Sequence, residues 1–384
     1  MSIVKFGDIV REVKLNVDRD NNPYEFYVAG EHMDTEDLTI RCKGLFATDD
    51  VGPAFTRIFK KGQILYGSRR TYLKKVAVAD FDGICSNTTF VLESKNEHVF
   101  CQKLLPFIML TDSFTKWSIS HSKGSTNPYI LFSDLANYAF ELPSLEEQRV
   151  LADKLWAAYE VKESYKNLLA QTDKLLHAQF EKMFGEETNT PYEKLEKLCK
   201  TFIDGDWIES KDQSVEGVRL VQTGNVGNGE YLDKIDKAHY ITESTFDRLH
   251  CTEIFAGDIL ISRLPDPIGR ACIIPEGIGK AITAVDCTII RLNEERVLPK
   301  FFIAATNSTA YQNKVRSFIA GTTRARISRG NLATIEIPVP PMKLQEEFVR
   351  IAEQAEQTKA SLNKGIEAIE AVIRSLIAEG TTKV

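Results

Sequence analysis

Leu142-Pro-Ser-Leu-Glu-Glu-Gln148 and Val339-Pro-Pro-Met-Lys-Leu-Gln345 are two versions of one pattern, 197 residues apart. Each runs from an apolar residue through proline to a glutamine and then opens a long stretch with helical periodicity. Working outward from them, further blocks recur in the same order. Gly124-Ser-Thr126 is echoed by Gly321-Thr-Thr323, again 197 residues on. Phe59-Lys-Lys-Gly-Gln-Ile-Leu65 is echoed by Phe255-Ala-Gly-Asp-Ile-Leu260, and Lys5-Phe-Gly-Asp-Ile9 by Lys194-Leu-Glu-Lys-Leu198. A period this long means duplicated domains and not a solenoid.

Each copy reads the same way. Short β-rich runs come first, such as Val76-Ala-Val-Ala79, Thr88-Thr-Phe-Val-Leu92, Ala271-Cys-Ile-Ile274 and Cys287-Thr-Ile-Ile-Arg-Leu292, punctuated by turn residues. A proline-marked boundary follows, at Pro143 and at Pro338, Pro340 and Pro341, and then a long helix. The first helix is expected over about Leu145 to Phe184, free of proline and glycine and stopped by Gly185. Leu151, Leu155, Ala158, Tyr165, Leu169, Thr172, Leu176 and Met183 form its four-three stripe, with Lys162 and Gln179 as polar interruptions. The second, about Met342 to Glu379, carries Phe348, Ile351, Ala355, Thr358, Leu362, Ile369 and Leu376, with Gly365 as a weak point. Rods of roughly 60 Å, from about 1.5 Å per residue, are too long to pack inside a small domain. A heptad-like stripe of that length predicts that one helix seeks the other.

The chain has 384 residues, 43% of them hydrophobic, enough for two cores. No apolar run approaches the ~18 residues that span a bilayer, and the N-terminal residues lack the layout of a secretion signal, so a cytoplasmic protein with no membrane partner is expected. Cys42, Cys85, Cys101, Cys199, Cys251, Cys272 and Cys287 are scattered singly, against a disulfide framework or a zinc knuckle, and no metal site is expected. The formal charge of −6 looks wrong for a nucleic-acid binder, but its distribution matters more. Val51–Ala79 contains no acid but has Arg57, Lys60, Lys61, Arg69, Arg70, Lys74 and Lys75. Arg296–Ile335 is likewise acid-free, with Arg296, Lys300, Lys314, Arg316, Arg324, Arg326 and Arg329.

Two variable α/β regions, each followed by Pro-Ser-Leu-Glu-Glu-Gln (143–148) or Pro-Pro-Met-Lys-Leu-Gln (340–345) and a long helix, resemble the specificity subunits of type I restriction-modification systems. The resemblance covers essentially the whole chain. It implies an α+β fold of two globular α/β target-recognition domains in pseudo-two-fold repeat, joined by two long antiparallel helices as a coiled coil. The segments would be 1–143 for the first recognition domain, 144–185 for the central helix, 186–341 for the second recognition domain and 342–384 for the distal helix. It further implies a non-catalytic subunit in which each domain reads one half of a bipartite, asymmetric site on double-stranded DNA. The helices would set the spacer and dock two modification (methyltransferase) subunits, through which motor-nuclease subunits join. This chain would bind no cofactor, leaving S-adenosylmethionine, Mg and ATP to its partners. Leu145, Glu146, Glu147, Gln148, Met342 and Gln345, at the helix starts, are the docking candidates. Leu344 departs from the family, which has a glutamate before this glutamine, and the segment ahead of the first region is short.

Phosphate contacts position a protein on DNA and base-edge contacts specify sequence. Ser68, Arg69, Arg70, Tyr72, Lys74 and Lys75 mix cations, hydroxyls and an aromatic in a turn-rich stretch, and Arg263 and Arg270 occupy the matching region of the second copy. Arginine suits guanine and asparagine suits adenine, which makes Arg69, Arg263 and Asn225 candidate readers. The repeated glycine loops supply Lys123, Ser125, Thr126 and Asn127 in one copy and Thr322, Thr323, Arg324 and Arg326 in the other, with Arg329 close behind. Flexible backbone, hydroxyls and cations are the groups that hold phosphates, although a polar hairpin turn has the same composition.

Three catalytic patterns compete with this reading. Asn127-Pro-Tyr129 is one proline short of an adenine-methyltransferase motif, and Gly224-Asn-Val-Gly-Asn-Gly229 lacks the lysine and following helix of a nucleotide loop. Asp82 with Glu93-Ser-Lys95 has the spacing of a restriction-nuclease core, where carboxylates hold a metal and lysine assists water. The alternative function is therefore a nuclease with its own paired recognition domains. A third is a scaffold whose basic faces are incidental.

Overall fold

The computed structural model describes residues 2–18, 21–321 and 325–380. The chain divides into two compact units, one from residues 1–166 and 363–384, the other from 167–362. Both long helices are continuous, at Leu145–Phe184 (central) and Met342–Gly380 (distal), so each unit owns part of each helix.

In the first unit an antiparallel sheet orders Val10–Glu12, Thr89–Ser94, Ile64–Gly67 and Val76–Val78. Apart from Val10–Glu12, its strands are apolar at successive positions because both faces are covered. Ile64, Tyr66, Phe90, Leu92 and Val76 enter a core shared with the helices Leu105–Met109 and Asp112–Ser120, whereas Leu65, Val91 and Ala77 enter another. A second sheet orders Gly44–Leu45, Phe26–Val28, Gly83–Ser86 and Phe55–Phe59, with its middle pair parallel. Ser2–Lys5 pairs with Ala139–Leu142, the strand that leads into the central helix.

The second unit repeats this plan. Its first sheet orders Cys199–Asp204, Cys287–Leu292, Ile259–Ser262 and Ala271–Ile273, with Ile259, Ile261 and Ile290 facing one core and Leu260, Ile289 and Cys272 the other. Its second sheet has five strands, and the parallel pair is Val218–Val221 with Ala281–Thr283. Tyr192–Lys194 pairs with Glu336–Pro338 ahead of the distal helix. Even the caps are duplicated: Thr111 accepts from the Phe114 N–H at 3.1 Å and Ser308 from the Tyr311 N–H at 3.3 Å, each satisfying an otherwise orphaned helix donor.

The helices run antiparallel within each unit. In the first, Lys162 bonds Glu370 at 2.8 Å and Tyr165 lies against Gly365. A Cβ on Gly365 would stand 2.6 Å from the Tyr165 ring, so this glycine permits close approach and is not a weak point. Lys162, only 10% exposed along its side chain, is a paired interruption that fixes the register of the helices. In the second unit Asp173 bonds Lys359 at 2.8 Å, and Phe180 and Phe184 pack edge-on against Phe348. Those two phenylalanines, with Phe301, carry the packing at this end and lie beside the expected stripe, whose Thr358 is exposed.

The first recognition region is clamped to the central helix through Asp37. Its carboxylate accepts from the Tyr159 hydroxyl at 2.7 Å, the Thr39 N–H at 2.9 Å and Arg41 Nε at 2.9 Å, with Lys166 at 3.1 Å; Arg41 also reaches Glu163. Burial alone would raise this carboxyl, but the Tyr159, Thr39 and Arg41 hydrogen bonds outweigh it and lower the pKa from 3.8 to about 2. A carboxyl whose folded pKa is depressed contributes stability that is complete above its ordinary pKa and disappears as pH falls through the folded one. Asp37→Asn is thus expected to destabilise the protein by roughly 1–2 kcal/mol at pH 7, discounted for partial solvent screening. The gap from wild type should narrow between pH 4 and pH 2, where wild-type Asp37 itself takes up a proton. Urea midpoints of both proteins across that range check the sign.

Candidate nucleic-acid interface

In the first unit the turn after Ile64–Gly67 and the Lys123–Tyr129 hairpin, remote in sequence, form one corner. Lys123 and Tyr129 exchange backbone hydrogen bonds at 2.7 and 2.9 Å, closing the hairpin over Gly124, whose φ of +87° is cheap only for glycine. The hairpin is sewn to the turn by Arg70 N–H to Pro128 O at 2.7 Å and Ile130 N–H to Ser68 O at 2.9 Å. Arg69, Arg70 and Tyr72 therefore stand exposed beside Lys123, Ser125, Thr126 and Asn127, also exposed. Arg70 (φ +50°) and Lys74 (φ +46°) bracket Tyr72 in left-handed conformations that cost non-glycine residues about 1 kcal/mol or more each. The turn is held in that shape by tertiary contacts.

The second unit builds the same corner from different side chains. Ala320 and Arg326 exchange backbone bonds at 3.0 Å, and the Ile327 N–H reaches Arg263 O at 3.2 Å. These bonds align Tyr129 with Arg326 and Ser68 with Arg263. Arg326 and Arg329 are exposed, and Arg329 lies 3.9 Å from Asp204. Thr322, Thr323 and Arg324 fall outside the described residues.

Several expected contacts are corrected by burial. Arg270 is 8% exposed and donates to the carbonyls of Val226, Pro265, Pro267 and Thr223, which leaves it holding two loops together and not reading bases. Arg263, equally buried, reaches Val285 O and Asp204 and acts as a brace behind the corner. Asn225 is buried too, its amide bridging Gln222 N–H and Leu232 O. Ser68 donates to Thr88 O, Lys74 pairs with Glu36 and Asp112, and Lys75 bonds Gly30 O, so all three face their own unit. Lys123 is half-exposed and pairs with Asp134 at 3.1 Å.

The acid-free runs are likewise largely neutralised by acids from elsewhere: Arg57 by Glu12, Lys60 by Asp82, Arg296 by Glu193, Lys300 by Glu353 and Glu356. Beyond those pairs, among the described residues of those runs the fold leaves Lys61, Arg69, Arg70, Arg316, Arg326 and Arg329 exposed, the last 3.9 Å from Asp204. Tyr129, absent from the expected contacts, is 41% exposed at the position that Arg326 holds in the other unit. The 197-residue offset could have found it.

The helix-start motif has a different purpose from docking at its last position. Gln148 accepts from the Cys101 N–H at 2.9 Å and donates to Val99 O and Pro143 O at 3.1 and 3.0 Å. Gln345 accepts from the Leu298 N–H and donates to Arg296 O and Pro340 O, all at 2.9 Å. Both are buried pins that tie the helix start to the turn entering the preceding helices. Ser144 and Glu147 form a reciprocal capping box in the first copy, which Pro341 and Leu344 at the equivalent positions cannot form in the second. Glu146 and Glu147 are exposed, while Leu145 and Met342 are half-buried.

The nuclease pattern dissolves in three dimensions. Glu93 pairs with Arg11 and Gln63, Asp82 with Lys60 and the Lys61 N–H, and Lys95 reaches the Gly7 carbonyl. Each polar group has its own partner, and nothing favours that alternative. Among the described residues no helix is long and apolar enough to cross a membrane.

Two repeated α/β units are each coupled to a share of two antiparallel helices, and each displays a cation-bearing corner. The family model described as "Type I restriction modification DNA specificity domain" matches residues 7–171 and again 191–371, and the chain belongs to that family. As a chain of two such domains it supplies DNA sequence specificity and not catalysis. It is 29% identical over 192 residues to the type I restriction enzyme EcoDI specificity subunit of Escherichia coli, a match covering 49% of this chain and 41% of that one. It is 21% identical to the MjaVIII specificity subunit of Methanocaldococcus jannaschii, across 100% of this chain and 93% of that one. Its fold resembles a chain from a structure on complex assembly and conformational transition of the type I R-M system, at TM-score 0.57 and 19% identity over 99% of this chain and 97% of that one. It also resembles the type I S subunit from M. genitalium, at TM-score 0.55 and 15% identity over 100% and 96%.

Proposed function

We propose that this chain reads a bipartite, asymmetric sequence on double-stranded DNA, with 1–143 and 186–341 as recognition domains for the two halves. The observation that carries this is the duplicated corner: equivalent backbone bonds in both units display different side chains, Arg69, Arg70, Tyr72 and Tyr129 against Arg326 and Arg329. Similar scaffolds would dock alike on two half-sites, while unlike side chains would read unlike bases. The paired helices set the separation of the half-sites, and their starts, with Glu146 and Glu147 exposed, are where two modification subunits dock. Motor-nuclease subunits join through these, and S-adenosylmethionine, Mg and ATP belong to the partners. The setting is the cytoplasm, where the DNA is. Methylation mapping of DNA from cells expressing the complete system tests the reading: two short unlike sequences at a fixed separation are expected, and a continuous or palindromic site would overturn it.

The exposed arginines give a further expectation. Arg69→Ala with Arg70→Ala should weaken binding to any duplex and lower the slope of log affinity against log salt by about one per lost phosphate contact. Binding titrations over a range of salt concentrations check this. An unchanged slope removes both residues from the phosphate backbone.

A further inference from the structure

Trp207 is 71% exposed, unlike the half-buried Trp117 and Trp156. A scattered exposed apolar side chain needs no explanation by itself. This one, however, stands on a backbone pinned from both sides. Gly205 and Asp206 donate to Cys287 O at 2.9 Å and Thr283 O at 2.8 Å, Asp206 O accepts from the Val285 N–H at 2.9 Å, and the Asp206 carboxylate accepts from the Thr252 N–H at 2.8 Å. A side chain on Gly205 would collide with the carbonyls of Thr283 and Ala284, so the strand and the loop after it lie flush against their neighbours. Ile208 packs inward against Val218, Leu220 and Ile282, which leaves the indole pointing out.

The same loop adjoins the cation-bearing corner. Val285, bonded to Asp206, accepts from Arg263 at 2.5 Å through its carbonyl, and Asp204, three residues before the tryptophan, faces Arg263 at 3.4 Å and Arg329 at 3.9 Å. An exposed indole on a pinned loop, three residues from the Asp204 that meets the exposed Arg329 of the corner, matches a ligand with flat π-faces strung on an anionic backbone. The strand pairings place residues 14–18 of the first unit at the corresponding position, and no aromatic occurs there.

We propose that Trp207 is a base-stacking contact that unstacks one step of the half-site read by residues 186–341, and that residues 14–18, at the corresponding position of the first unit, make no such contact. The inference rests on the DNA reading proposed above. Stacking on a base is sequence-tolerant, but the cost of opening a step is not, and flexible pyrimidine–purine steps open most readily. Trp207 therefore selects for deformability at one position where it makes no base-edge hydrogen bond.

The test uses the full chain and a duplex containing the site found by methylation mapping, with 2-aminopurine substituted at successive positions. Wild-type binding should brighten the probe at a single step in one half-site. Trp207→Ala should abolish that signal and weaken binding roughly 10- to 100-fold, with the salt slope unchanged and Trp207→Phe intermediate. A Trp207→Ala chain that binds as wild type, or that loses affinity through a lower salt slope, overturns the inference while leaving the DNA reading intact. A wild-type chain that binds no duplex overturns both.

Discussion

Four residues inserted after Lys166 and four after Leu362 are expected to lengthen the spacer of the methylated site by one or two base pairs and leave both half-sites unchanged. The two points lie where the chain passes from one compact unit to the other, once in each helix. Lys162–Glu370 and Tyr165–Gly365 stay together on one side, and Asp173–Lys359 and Phe180–Phe348 on the other, because no pair is split by the insertions. Four residues add about one turn, roughly 6 Å, and nearly restore the side-chain stripe. B-form DNA rises about 3.4 Å per base pair, which gives the predicted change. Methylation mapping reads it directly, with helicity measured by circular dichroism on the same preparation. An unchanged spacer in a folded, active complex would mean that the helices measure nothing. The same insertion in the central helix alone should fail, since the two helices would no longer match in length.

Gln345→Ala should cost the second unit about 2–4 kcal/mol, because a part-buried N–H, a part-buried carbonyl and a buried carbonyl lose their partner at once. That is a large part of the ~5–15 kcal/mol by which proteins are stable. Lys343→Ala and Glu346→Ala, exposed one turn or less away, should stay within about 0.5 kcal/mol. Urea unfolding ranks the three, and hydrogen exchange should show protection lost first around 296–301 and 340–348. Gln148→Ala is expected to do the same around 99–101 and 143–148. An undiminished unfolding midpoint with defective subunit assembly would return this glutamine to a docking role.

These two glutamines mark the limit of what the motif shows. Its recurrence at a fixed offset made the duplication legible, since two copies of one backbone keep equivalent residues equally spaced. Its meaning was not legible, because a glutamine at a helix start has the same letters whether its amide points outward to a partner or inward to Arg296 O and Leu298 N–H. The same holds for Arg263 and Arg270, cations drawn inward by clusters of carbonyls that come together only on folding. Trp207 was overlooked for the opposite reason: nothing in its neighbours' identity announces that Ile208 turns in and the indole turns out.

By itself the sequence determined the two-fold repetition, the short β-rich runs and the two long helices that pair. Those follow from periodicity, which is a local property summed over many residues and survives errors at any one of them. The tertiary structure alone decided which charges remain exposed. Arg57, Lys60 and Lys300 sit in stretches without acids, yet Glu12, Asp82 and Glu353 reach them from as far as 53 residues away. Ion pairing depends on distance in space, whereas a charge run records only distance along the chain, so the cationic corners could be located only once the chain had folded.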